Sequence, residues 1–215
     1  MSQAVGIIGR LVDGMIRRTV RQRFHRVYWI PPANPLPEPC ILTPNHHGWH
    51  DGHVMYHAAT AMKLQVVGWV QEFDAFPSFA SVGGMPFPAG DTTRRAVTIR
   101  RTVRLMSTDK RSLLLFPERT LHPPPEVLPF ARSLEFLVSN APSVSVIPVA
   151  IRYEMSMHER PDCFVVFGPP VEKGDALCFR TRLAVKRLLD ELTVKMRFEP
   201  EAFEVLSRGT SDRRT

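Results

Sequence analysis

Cysteine is scarce in this chain: Cys40, Cys163 and Cys178 lie far apart and in no metal-ligating spacing. That excludes a disulfide framework and a cysteine-based metal site, and leaves free thiols in a reducing cytoplasm as the expectation. Long hydrophobic runs are missing as well. No segment approaches the roughly 18 consecutive apolar residues that span a bilayer. Arg10 and Asp13 interrupt the opening segment where a secretory signal would need an apolar core, and no small-residue cleavage site follows. The expected location is the cytoplasm, peripheral to a membrane where a membrane is touched. Acidic residues are in deficit, 21 against 28 Lys and Arg, for a net charge of +7 and a pI near 9.8. Such a balance suits an anionic partner: a nucleic acid, an acidic membrane surface, a nucleotide-bearing donor or an acidic carrier protein. No Gly-x-Ser-x-Gly elbow is present to supply a serine nucleophile. The binuclear pattern His-x-His-x-Asp-His is also absent, since Asp51 is followed by Gly52.

What remains is the composition of a folded protein, 44% apolar and 23% charged over 215 residues, enough for one domain with a sizeable core. Residues 3–28 have apolar side chains at three- and four-residue steps (Val5, Ile8, Leu11/Val12, Met15/Ile16, Val20, Phe24, Val27) opposite Arg10, Arg17, Arg18, Arg21, Arg23 and Arg26. The spacing predicts one basic amphipathic helix over 1–30, closed by Tyr28 and Trp29. It fits either packing on the chain's own core or lying in an anionic membrane interface. A stiff proline-rich connector, 31–39, follows.

From Cys40 to about residue 207, short apolar runs alternate with helical patterns, which predicts a single α/β domain with a mostly parallel sheet flanked by helices. Expected strands are 40–43, 64–70, 112–116, 144–152 and 163–167, with a short one near 81–87. Expected helices start at Asp51, run from Thr92 to Thr108 with Ala96, Ile99, Val103 and Met106 inward, cover 131–139, and run from a cap at Asp175 to about Phe198. Residues 208–215 read as a flexible tail.

The chemistry concentrates in Thr43-Pro-Asn-His-His-Gly-Trp-His-Asp-Gly52, at the C-terminal end of a strand, where α/β sheets usually build active sites. His46 and Asp51 stand in a His-x-x-x-x-Asp relation that a turn can close into an imidazole base steered by a carboxylate. Without a nearby nucleophile, that base would act on a hydroxyl or water brought by substrate. His46 with His50, or His53 with His57, also fits the i, i+4 spacing of metal ligands. A metal-dependent hydrolase built on the 46–57 cluster is therefore one alternative, and a non-catalytic basic module for membranes or nucleic acid is another.

Four blocks in order resemble the glycerolipid acyltransferase family, the lysophosphatidic acid acyltransferases. They are Asn45-His46-x-x-Trp49-x-Asp51, Gly84-Met-Pro-Phe87, Phe116-Pro-Glu118-Arg-Thr120 and Ile147-Pro-Val149. Together they span about Cys40 to Tyr153. The resemblance implies transfer of a fatty acyl group from acyl-coenzyme A or acyl-carrier protein to a hydroxyl of a lipid-like acceptor, with no cofactor, no metal and no nucleic acid. It makes His46 the base and Asp51 its orienter. It assigns Glu118, with Arg119 and Thr120, to the acceptor side, and Gly84, Phe116, Pro117 and Pro148 to the oxyanion and motif framework. The chain departs from the family pattern at Gly48 for serine, Gly90 and Leu121 for arginines, and Arg119 for glycine. Arg94 and Arg95 stand as replacement anion binders, or the acceptor carries no phosphate.

Overall fold

In the computed structural model, which describes residues 6–210 and 212, a mixed eight-stranded sheet is covered on both faces by helices. Its strands are β1 (Arg26–Ile30), β2 (Cys40–Pro44), β3 (Val66–Val70), β4 (Gly84–Pro86), β5 (Ser112–Leu114), β6 (Ser145–Glu154), β7 (Asp162–Phe167) and β8 (Glu204–Arg208). The helices are α1 (Ile7–Arg23), α2 (Asp51–Ala61), α3 (Thr92–Thr108), α4 (Ser133–Asn140) and α5 (Leu177–Phe198). The spatial order is β4-β3-β5-β2-β6-β7-β1-β8. The run from β4 to β6 is parallel, β7 turns back against β6, and β1 joins β7 in parallel with β8 antiparallel on the edge. This is the mostly parallel α/β sheet the alternation predicts.

Strands buried on both faces need apolar residues at successive positions, and β2 is buried at all five of its residues. Leu42 on one side joins Ile147, Val149 and Ile151 of β6, Val20 and Phe24 near the end of α1, and Val54, Met55 and Ala59 of α2. Ile41 on the other joins Leu113, Val146, Met106 of α3, Leu134 and Leu137 of α4 and Val185 of α5.

The N-terminal segment departs from expectation. The helix ends at Arg23, and Arg26–Ile30 is a strand paired to β7 and β8. Val27 is buried as the helical spacing required, but from a strand. Phe24 and Val27 keep a three-residue step through the change of structure, which is why the pattern reads as one helix. The first 30 residues are thus not an appendage: β1 is part of the sheet, and the domain begins before residue 40. Residues 3–5 of the expected helix lie outside the described ones.

Within α1 the buried stripe is Gly9, Val12, Ile16 and Val20. A second apolar stripe faces outward, with Ile7 71%, Ile8 63%, Leu11 69% and Met15 45% exposed.

At the other end, β8 is a strand that the alternation does not predict. Only Ser207 of its residues is buried, so no alternation marks it. Gly209 and Thr210 are bonded to the carbonyls of His25 and Arg21, so the tail starts later than 208. Residues 211 and 213–215 lie outside the described ones. Asp175 does not cap α5; the residue before that helix is Ala176, in a left-handed conformation with φ 55° and no side-chain cap. On α3 the deeply buried positions are Thr98, Thr102 and Met106 rather than the purely apolar set. Both threonines are satisfied, Thr98 donating to the Pro86 carbonyl and Thr102 to that of Thr98 while accepting from the Trp69 indole N–H.

Candidate active site

The parallel strands end at a common edge, where β2 passes into the turn before α2. Asn45 anchors that passage. Fully buried, its amide donates to the Ile151 carbonyl at 2.9 Å and accepts from the Ile151 N–H at 2.8 Å, extending β2's hold on β6 by side chain. The turn then places His46 and Asp51 together: His46 Nδ1 lies 3.0 Å from Asp51 Oδ2. A carboxylate only accepts, so Nδ1 carries the proton and Nε2 is left as an acceptor. The His46 side chain is 24% exposed and that of Asp51 0%, an arrangement that keeps the carboxylate dry and the imidazole reachable.

Asp51 opens α2, where the helix dipole favours a negative side chain. Its Oδ2 also accepts from the Gly48 N–H at 2.9 Å, and its Oδ1 accepts from the hydroxyl of Tyr153. Burial pushes the Tyr153 phenol far above its ordinary range, so it stays a donor. The Phe116 ring lies 4.4 Å from the His46 ring at a 31° tilt and covers one of its faces.

Glu118 is also buried, with a side chain 0% exposed. One oxygen accepts from the His46 N–H at 2.7 Å; the other accepts from the Leu128 N–H at 2.5 Å and from His122 Nε2 at 2.6 Å. It thereby ties the His46 turn to the loop beyond β5. Arg119 follows with φ 65° and its N–H bonded to the Phe116 carbonyl at 3.2 Å, so that N–H is not free to serve an oxyanion. Arg119 and Thr120 are exposed.

Among the other expected residues, Gly84 lies opposite Gly68 in the β3–β4 pairing, and a Cβ there would come within 2.9 Å of Phe79. Its lack of a side chain serves packing. The carbonyl of buried Pro117 accepts from Ala131 N–H, and Pro148 stands opposite Thr43 in the β2–β6 pairing. Arg94 makes a two-pronged ion pair with Asp74 at 2.7 and 2.9 Å, and Arg95 lies over the Phe87 ring at 5.8 Å. None of the hydrogen bonds among the described residues joins these arginines to His46 or Asp51. Gly90 has open space around it and Leu121 is 40% exposed.

The 46–57 histidines do not converge as a metal set. His46 is held by Asp51, His50 and His53 meet edge-on at 5.7 Å between centroids, and His57 lies against Arg17. Burial lowers the basicity of His50, His53 and His57. Among the described residues the grouping with ligand-like spacing is His47, Glu118 and His122. His47 Nε2 bonds the Glu126 carbonyl at 2.7 Å and His122 is bonded to Glu118, so each of the three already has a protein partner.

Tyr153 had no assigned part in the motif reading. The one signal for it was period two along β6, which puts Ile147, Val149, Ile151 and Tyr153 on one face.

Comparison with known proteins places the fold. A family model described as Acyltransferase matches residues 26–152, from the start of β1 to one residue short of Tyr153. The fold is similar to the crystal structure of the 1-acyl-sn-glycerophosphate (LPA) acyltransferase PlsC from Thermotoga maritima. That match has TM-score 0.60 and 18% identity, over 86% of this chain and 79% of that one. No curated protein matches the chain in sequence.

Proposed function

The chain belongs to the acyltransferase family, and from that premise we propose that it moves a fatty acyl group from a thioester to a hydroxyl of a lipid-like acceptor. The observation that carries the reading is the pair His46–Asp51, at 3.0 Å with the carboxylate buried and one imidazole nitrogen available. In this reading Nε2 takes the proton of the acceptor hydroxyl as its oxygen attacks the thioester carbonyl. The tetrahedral intermediate collapses with cleavage of the carbon–sulfur bond, and the proton on His46 passes to the leaving thiolate. Asp51 holds the tautomer and steadies the imidazolium, a combination worth about 10²–10⁴ in rate. Neither cofactor nor metal enters these steps.

The donor is acyl-coenzyme A or acyl-carrier protein. Both are anionic, and α3 offers the exposed guanidinium groups of Arg100, Arg101 and Arg104 on its solvent face. The acceptor is lysophosphatidate or a phosphate-free glycolipid or alcohol; Gly90 and Leu121, standing where the family carries arginines, favour the second. Glu118 is a positioning residue for the His46 turn, and contact with the acceptor falls to neighbours such as Arg119 and Thr120. No helix among the described residues is long and apolar enough to cross a membrane. The outward stripe of Ile7, Ile8, Leu11 and Met15, with exposed Arg10 and Arg18 beside it, supports peripheral attachment to the anionic inner face of a membrane.

The test is to incubate the full chain with radiolabelled palmitoyl-coenzyme A and a total lipid extract and to identify the labelled product. A new alkali-labile lipid ester is expected. Release of free palmitate alone would make the protein a thioesterase and overturn the reading.

A further inference from the structure

Gly48 departs from the family's first motif, and the structure gives the departure a purpose. Its backbone is not in a conformation reserved for glycine. A Cβ on it, however, would lie 2.5 Å from Tyr153 Cζ and 2.6 Å from the phenol oxygen, and closer still to Cε2. The missing side chain is the room that the Tyr153 ring fills. That ring is stacked on Phe24 at 5.2 Å and 17°, which fixes its plane, and its hydroxyl donates to Asp51 Oδ1. Asp51 is wholly buried. Its Oδ2 serves His46 and the Gly48 N–H, so Tyr153 supplies the side-chain donor for the remaining oxygen. A buried carboxylate oxygen left without a donor turns or draws in water, and either outcome moves the other oxygen away from the imidazole.

We propose that Tyr153 is a positioning residue for acyl transfer, fixing the rotation of the Asp51 carboxylate toward His46, and that Gly48 is the paired position that admits it. The two residues act as one unit although 105 positions separate them in the chain. Burial holds the phenol protonated well beyond the ordinary tyrosine range, so the donor persists at any pH at which the protein is assayed. The inference rests on the reading of His46 as base and Asp51 as its orienter.

Tyr153→Phe tests it most cleanly, because the ring, the Phe24 stack and the filled space over Gly48 all remain. The expected result is a fall in kcat of about 10-fold or more with KM for palmitoyl-coenzyme A unchanged within about twofold, the pattern of a lost transition-state contact. In proton NMR the downfield resonance of the His46 Nδ1–H, bonded to Asp51, broadens or moves upfield in the variant. A merely structural tyrosine would lower the melting temperature and leave both readouts alone below it. Wild-type kcat together with an unchanged resonance would overturn the proposal. The resonance also separates the two claims: should the wild-type chain transfer no acyl group, a perturbed resonance still supports the positioning role, and an unperturbed one removes it. The pairing has its own check. Gly48→Ala is expected to cost activity in the wild-type background and nothing further in a Tyr153→Leu chain; full activity of Gly48→Ala alone would contradict the pairing.

Discussion

Replacing Glu118 by glutamine separates two accounts of the third motif. The resemblance puts this residue on the acceptor, whereas the geometry gives both its oxygens to the protein. Glutamine keeps one acceptor and turns the other position into a donor. The retained oxygen will stay with Leu128 N–H and His122, which share one side; the amide NH₂ then faces the His46 N–H, formerly 2.7 Å from Oε1. Losing a hydrogen bond to a charged group costs about 1.5–3 kcal/mol, and orphaning a buried N–H roughly 1–3 more. A total of about 2.5–6 kcal/mol is large against the ~5–15 kcal/mol that stabilises an ordinary fold. For a chain of this size each kcal/mol moves the midpoint by about 2–4 °C, so Tm should drop by roughly 5–24 °C. The assay is a thermal melt followed by circular dichroism, with kcat and acceptor KM measured below the transition. The bond that is lost holds the His46 backbone, so kcat should fall while acceptor KM stays nearly constant. A Glu118→Gln chain that melts like the wild type but has a raised acceptor KM would show that the carboxylate touches substrate instead of holding the His46 turn.

Other expectations follow from single contacts. Asp51→Asn should lower kcat by about 10²-fold or more with donor binding nearly intact, because tautomer control acts in the transition state; unchanged turnover would reduce Asp51 to a helix-start residue. Deleting α1 would expose the core beneath Val12, Ile16 and Val20, so the membrane role is better tested by converting Ile7, Ile8, Leu11 and Met15 together to serine. That chain should melt normally and lose at least about tenfold in partitioning to anionic liposomes by flotation; undiminished flotation would separate this stripe from the membrane. Burial lowers the basicity of His50, His53 and His57 in the folded chain, so the unfolded chain binds more protons below about pH 6.5. Stability should therefore rise with pH through the window below that value, and urea midpoints at pH 5 should lie beneath those at pH 7. His57→Gln should flatten part of that slope, and a slope unaffected by this change would remove His57 from the cause.

The contact between His46 and Asp51 was legible because they lie five residues apart and one turn closes them. The alternating helices and parallel strands were legible because a doubly covered sheet demands continuous apolar runs such as Cys40–Thr43. What escaped depends on contacts distant in sequence. Phe24 and Val27 keep helical spacing across the change from α1 to β1, and that change is settled by pairing with β7 more than a hundred residues later. Edge strand β8 buries one serine and has no alternation to read. Thr98 and Thr102 face inward because Pro86 and Trp69 meet their hydroxyls, which no helical wheel reveals. Glu118 and Tyr153 illustrate the same limit at the site: residue type announces a carboxylate and a phenol, but only the fold says which atoms they hold.

The role proposed for His46 is removal of the proton from the acceptor hydroxyl. Its most direct measurement compares wild type and His46→Ala for transfer from labelled palmitoyl-coenzyme A to the lipid product identified with the wild-type chain. Transfer at background level is expected from a variant that melts like the wild type; transfer at the wild-type rate would rule out His46 as the base.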